Sequence, residues 1–112
     1  MRESEVHLFA WVEEAMAPVG RVTMRRMMGG ATLYCDGIIF AISDDGELWF
    51  KSDKISDAQW DAVDAERFTY SFKDGRVDTM NYRRAPSEVY DDGDALRQWA
   101  GLALEAGMRA RK

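Results

Sequence analysis

The sequence has few of the residues that build disulfides, metal sites and membrane spans. Its 112 residues include one cysteine, one histidine and two prolines. Because Cys35 is alone, no intrachain disulfide or thiolate cluster can form, and the fold must depend on its hydrophobic core. The longest apolar runs, residues 8–12 and 38–42, are far shorter than the ~20 residues that cross a bilayer. We therefore expect no membrane contact, no metal and no cofactor.

Positive charge is also in short supply. The chain has 15 Lys and Arg against 20 Asp and Glu, which gives a formal net charge of −5. An acidic chain lacks the positive field that supplies most non-specific affinity for phosphate, so direct nucleic-acid binding is not expected. Glu3 and Glu5 precede the first apolar residues, which is the wrong charge order for a secretory signal peptide. These features predict a cytoplasmic protein.

The apolar content is sufficient for one domain covering residues 1–112. Hydrophobic residues make up 46% of the chain and aromatic residues 12%, and no repeat or linker interrupts it. Residues 4–17 have the periodicity of an amphipathic helix, with Glu5, Phe9, Val12 and Met16 on one side. Pro18 and Gly20 are expected to end it.

Three Asp-Gly pairs separate segments with high β-propensity, and such pairs are a strong signal for hairpin turns. The pairs are Asp36-Gly37, Asp45-Gly46 and Asp74-Gly75. Residues 22–51 therefore predict a meander of three or four antiparallel strands, and residues 68–82 a separate hairpin. Alternation along the meander predicts that Ile38, Phe40 and Ile42 share one face of their strand, as Leu48 and Phe50 do in the next.

Two further helices complete the predicted fold. Ser56 and Gln59 fit the capping-box template at the start of a short helix over residues 56–65. The acidic cluster at residues 91–94 supplies an N-cap for a last helix over residues 94–108. The result is an α+β fold in two layers, in the order α-β-β-β(β)-α-β-β-α, with the helices on one face of an antiparallel sheet.

Residues that could carry out catalysis are scarce. His7 lies beside Leu8 and Phe9 near the chain start, which favours an ordinary helix-surface or half-buried histidine. Cys35 is followed by Asp36, whose charge disfavours a reactive thiolate. Gly29-Gly30 lacks the Lys-Ser/Thr of a phosphate-binding loop and favours a tight bend or bulge. We predict no catalytic residues and no enzyme.

Four arginines form the candidate binding site. Arg25 and Arg26 lie in the first strand, and Arg83 and Arg84 end the last hairpin, so the two pairs would form a positive patch if they met on one sheet edge. Such a patch would suit a carboxylate, a phosphate or an acidic partner surface. The alternative is that each arginine pairs with one of the acids at the surface.

Several stretches of the sequence resemble a known family. They are the arginine-methionine run that leads through Gly29-Gly30 to Leu33-Tyr34, the apolar strand at 38–42, the strand Leu48-Trp49-Phe50-Lys51, and the segments 68–70, 80–83 and 96–100. This pattern is similar to the N-terminal domain of the TfoX/Sxy family. Met28 replaces the usual phenylalanine and Thr32 the usual glycine.

The resemblance implies an α+β domain from a bacterial family associated with the regulation of DNA-uptake competence genes. It further implies action with a transcription activator rather than catalysis, and the family's competence regulators carry a separate C-terminal domain. The leading hypothesis is therefore a regulatory module that binds a protein partner such as a transcription factor. The alternative is a small-ligand or anion-binding domain that uses the arginines. A homodimer through an edge strand or the uncovered sheet face also stays open.

Overall fold

A computed structural model describes residues 3–27 and 29–111. Met28, at one of the two positions that depart from the family pattern, lies outside these residues. The elements follow the predicted order: α1 (Glu3–Met16), β1 (Val22–Met27), β2 (Gly30–Cys35), β3 (Ile38–Asp44), β4 (Glu47–Lys51), α2 (Asp57–Asp61), β5 (Arg67–Ser71), β6 (Val77–Arg84), a 3-10 turn (Ser87–Tyr90) and α3 (Gly93–Ala110). Among the described residues, no helix is long and apolar enough to span a membrane.

All six strands form one antiparallel sheet in the order β1-β2-β3-β4-β6-β5. The first four strands are the predicted meander, and β5 and β6 are the predicted hairpin. After α2 the chain enters the sheet at its edge as β5, and β6 returns beside β4. The α+β fold class is therefore confirmed.

Local sequence determines the turns of the meander. Asp36 and Gly37 have φ values of 49° and 82°, and Asp45 and Gly46 have values of 53° and 80°. Positive φ at both central residues is typical of the type I′ turn, whose twist matches that of antiparallel strands. Asp-Gly is a favoured sequence for this turn. Between β1 and β2, Gly29 also has a positive φ of 81°. At Gly30, the first residue of β2, a side chain would come within 1.7 Å of the Ser43 carbonyl oxygen of β3.

The main core lies between one face of the sheet and the helices. Trp60 of α2 is fully buried and stacks on Phe50 of β4 at 5.7 Å and on Trp99 of α3 at 4.7 Å between ring centroids. α1 contributes buried Leu8, Val12, Ala15 and Met16, and α3 contributes Leu96, Ala100 and Ala103. These contacts join all three helices to the sheet, as the two-layer prediction required.

The predicted alternation along β3 is wrong. Leu33 pairs with Ala41 while the next residue, Tyr34, pairs with Ile39, so Phe40 is an extra residue in a β-bulge. The bulge changes the phase of the strand. Phe40 and Ala41 consequently both join the main core, whereas Ile42 lies on the opposite face. In β4 the prediction is confirmed, since Leu48 and Phe50 share the helix-covered face.

A small second cluster occupies the face of the sheet that carries no helix. Trp49 is only 5% exposed there. Its ring meets Phe68 edge-on at 4.9 Å, and the Arg84 guanidinium lies 4.6 Å from its centroid. Ile42 and Tyr82 complete the buried part of the cluster. Side chains of the sheet itself therefore cover Trp49.

The predicted capping box at Ser56 is also wrong, although a reciprocal box exists one turn earlier. The Asp53 carboxylate accepts from the Ser56 amide at 3.0 Å, and the Ser56 hydroxyl accepts from the Asp53 amide at 3.1 Å. Ser56 therefore sits at the third position of the turn that Asp53 begins, and its side chain does not cap α2. For α3 the prediction is confirmed, because the Asp92 carboxylate accepts from the amides of Asp94 and Ala95.

Candidate functional site

The sheet order separates the two arginine pairs. Arg25 and Arg26 lie on edge strand β1, and Arg83 and Arg84 lie on β6 with three strands between. Four strand spacings amount to roughly 19 Å. Arg25 and Arg84 share the helix-free face, at opposite ends of one cross-strand row. The positive patch on one edge does not form, because the β5–β6 hairpin joins the sheet beside β4, at the side opposite to β1.

Arg83 has a structural environment. It is 4% exposed and faces the helices. Its guanidinium donates to the Asp61 carboxylate at 2.8 Å, to Asp57 at 3.3 Å and to the Ala65 carbonyl at 3.0 Å. Buried charge is tolerated when it is paired in this way. Arg83 therefore holds α2 and the following turn against the sheet, in a buried position and not at the surface.

Arg84 lies in a cleft of about 410 Å³ beside the 3-10 turn. It pairs with Glu47, and its Nε lies 3.4 Å from Glu66. The hydroxyl of Tyr90, which also lines the cleft, accepts from the Leu48 amide at 2.8 Å. Since Glu47, Asp64 and Glu66 all line the cleft, an anion would have to displace carboxylates and enter an acidic surface. The contacts of Arg83 and Arg84 thus give no support to the anion-binding alternative.

The residues considered for catalysis occupy ordinary positions. His7 is exposed on α1. Cys35 is buried, and desolvation together with the charge of Asp36 raises the pKa of its thiol, which suppresses the reactive thiolate. Across residues 3–27 and 29–111, no group of three His, Cys, Asp or Glu side chains is placed to hold a metal ion.

Another large concave surface in the described structure is a groove between α2 and α3, with a volume of about 410 Å³. Trp99 and Leu102, both partly exposed, supply its apolar lining. Gln59 of α2 and Gln98 of α3 contribute neutral polar groups, and among the described lining residues Glu105 alone is charged. An apolar lining with a few polar groups is typical of binding surfaces.

The sixth lining residue is Gly101, in the middle of α3. Glycine in a helix interior costs about 1 kcal/mol relative to alanine. A Cβ at Gly101 would meet nothing within 4 Å, whereas one at Gly107 would come within 2.1 Å of the Ile39 carbonyl oxygen. Packing of the fold therefore requires glycine at 107 and not at 101. The missing side chain at 101 leaves the floor of the groove open.

An ion pair joins the segment before α2 to the last turn of α3. The Arg109 guanidinium donates to both oxygens of Asp53, from Nε at 2.6 Å and from Nη2 at 2.9 Å. Two apolar side chains within two residues of this pair in sequence are exposed: Ile55 at 69% and Met108 at 62%. Sequence reasoning missed this surface. Its signal was a glycine in the interior of a predicted helix, between Trp99 and Glu105.

Comparison with known proteins gives two similarities. The pattern of the family described as TfoX N-terminal domain matches residues 14–107. The chain is also 26% identical over 99 residues to Protein Sxy of Escherichia coli (strain K12). That alignment covers 88% of this chain and 47% of the relative, so the chain spans about half the length of the curated relative it matches.

Proposed function

The chain belongs to the TfoX N-terminal domain family, and from this premise we propose that it is a non-enzymatic module of competence regulation that acts through protein contacts. The surface that would make the contact is the groove between α2 and α3. The observation that supports this choice is the open floor at Gly101, at the centre of a partly apolar surface that the fold itself does not fill.

The groove has a suitable shape for a helical segment. It follows α3, and the lining positions 98, 101, 102 and 105 recur at the spacing of one helix face. Where a glycine replaces a larger side chain, a second helix can approach closely, because the distance between packed helices depends on the side chains at the contact. Trp99 and Leu102 would provide the apolar contact.

Charge restricts the partner further. The chain carries a net charge of −5, and Glu105 is the charged group in the groove lining. A helix with an apolar stripe and a lysine or arginine beside that stripe would complement both features. A transcription factor would meet this description if such a helix lay on its surface.

The test is affinity capture from the native host with the wild-type chain and three variants. Gly101→Leu places a side chain in the groove, and Gly101→Ala fills far less of it. Ala10→Leu adds a leucine at an exposed position of α1 and serves as the matched control. We expect Gly101→Leu to lose a partner that the wild type and Ala10→Leu retain. Retention of every captured protein by a folded Gly101→Leu variant would exclude the groove as the docking surface.

A further inference from the structure

The outer half of the β5–β6 hairpin extends beyond the rest of the sheet. β4 pairs with residues 82–84 of β6, and residues 77–79 pair with β5 alone. The ribbon exposes large apolar side chains, with Val77 at 62%, Met80 at 38% and Tyr70 at 37%. Two strands alone are marginally stable in water. The ribbon therefore offers an open backbone edge and apolar surface together.

The hydrogen bonds show which backbone groups face the open edge. The Phe72 amide donates to the Arg76 carbonyl at 2.7 Å, so Arg76 directs its carbonyl toward β5. Antiparallel pairs alternate, and the N–H and C=O of Val77 consequently face outward. Thr79 follows the same alternation, and its outward amide donates to the Asp78 side chain at 2.8 Å.

Opposite charges flank Val77. Arg76 precedes it and Asp78 follows it, and alternation puts both side chains on the same face of the ribbon. If two copies of β6 meet antiparallel about a two-fold axis at Val77, each Val77 exchanges two backbone hydrogen bonds with its counterpart. Arg76 of each copy then lies opposite Asp78 of the other.

We propose that the chain forms a homodimer by antiparallel pairing of its β6 edges, centred on Val77. A second copy fits better than an unrelated strand because the sequence Arg76-Val77-Asp78 is complementary to itself in this arrangement. The Asp78 carboxylate, bound to the Thr79 amide, limits the pairing to this short segment. Two backbone hydrogen bonds and two exposed ion pairs make a weak, concentration-dependent dimer.

Sedimentation equilibrium of the full chain at several concentrations tests the proposal. Arg76→Asp replaces two ion pairs by two repulsive pairs and should raise the dimer Kd about tenfold. The double exchange R76D/D78R restores the pairs in the opposite sense and should return the Kd to near the wild-type value. Lys73→Asp, with the same charge change at the ribbon tip, is the control and should leave the Kd unchanged.

A second variant tests the backbone contact. Val77→Pro removes the outward N–H, and the inward bonds of the ribbon do not use that group. Dimerisation should be lost while circular dichroism stays that of the wild type. A monomer at every concentration, or an R76D/D78R double variant as weak as Arg76→Asp, would overturn the proposal. Gly101→Leu should not change the Kd, which separates this interface from the groove.

Discussion

The carboxylate of Asp53 binds the guanidinium of Arg109 through both of its oxygens, 56 residues apart in sequence. The same carboxylate accepts the amide of Ser56 and so begins the turn before α2. One side chain therefore fixes the start of α2 to the last turn of α3. Because these helices form the walls of the groove, the ion pair positions the proposed docking surface.

Acid should weaken this link. The hydrogen bonds from Arg109 hold the pKa of Asp53 well below its usual range, and the unfolded value is about 3.9. Because the pKa of Asp53 is lower in the folded than in the unfolded chain, its ionised carboxylate stabilises the fold at pH values above the unfolded pKa. This stabilisation is lost as the pH falls toward the pKa of the folded chain. The melting temperature of the wild type should fall more steeply than that of Asp53→Asn from about pH 5 to pH 2.

Thermal unfolding followed by circular dichroism measures this difference. Asp91→Asn, at an exposed position, is the control and should follow the wild-type curve. Parallel curves for the wild type and Asp53→Asn would show that the ion pair contributes nothing to stability.

The two glycines of α3 should respond oppositely to alanine. Gly101→Ala should raise the free energy of unfolding by roughly 0.5–1 kcal/mol, because a helix interior favours alanine and the Cβ meets open space. Gly107→Ala should lower it by about 1–3 kcal/mol, because the Cβ would press against the Ile39 carbonyl. Urea denaturation of the two variants gives both values, and equal signs would contradict this account of the helix.

Trp60 should matter for its volume and not for its N–H. It is fully buried between Phe50 and Trp99, and its Nε1 has no hydrogen-bond partner in the described structure. Trp60→Ala should cost about 3–5 kcal/mol. Trp60→Phe keeps an aromatic ring and loses no hydrogen bond, so its cost should be clearly smaller. Chemical denaturation of both variants would refute this ranking if Trp60→Phe proved as costly as Trp60→Ala.

Arg83 and Arg84 should differ in their effect on stability. Arg83→Met removes the buried partner of Asp57 and Asp61 and should cost about 2 kcal/mol, since Asp61 remains solvated. Arg84→Met loses partly exposed pairs with Glu47 and Glu66 and should cost less than about 1 kcal/mol. Urea denaturation gives both changes in the free energy of unfolding, from the midpoints of variants that share the wild-type m-value. A larger cost at Arg84 would contradict the assignment of Arg83 as the structural arginine.

The sequence predicted what depends on neighbouring residues. Asp36-Gly37 and Asp45-Gly46 determine their turns through their own φ preferences, and the family resemblance was confirmed over residues 14–107. The predictions failed where contacts between residues far apart in sequence determine the structure. The bulge at Phe40 depends on the register with β2, and the separation of the arginines depends on the hairpin joining the sheet at the side opposite to β1.

The groove was missed for a related reason. Gly101 does not change the apolar periodicity that predicts α3. Its part in the groove depends on the open space around its Cα, which only the structure shows. The predicted capping box failed because Ser56 forms its reciprocal hydrogen bonds with Asp53 instead of Gln59, and the bond between Asp53 and Arg109 favours this earlier start.

Site-specific photo-cross-linking in the native host tests the proposed docking surface most directly. A photoreactive residue replaces Gln98 at the rim of the groove, and a second form carries it at the exposed position 10. We predict a protein adduct at position 98 that is absent at position 10 and is lost when Gly101→Leu is added. An adduct that survives Gly101→Leu, or none at position 98 beyond that at position 10, would contradict the proposed function of the groove.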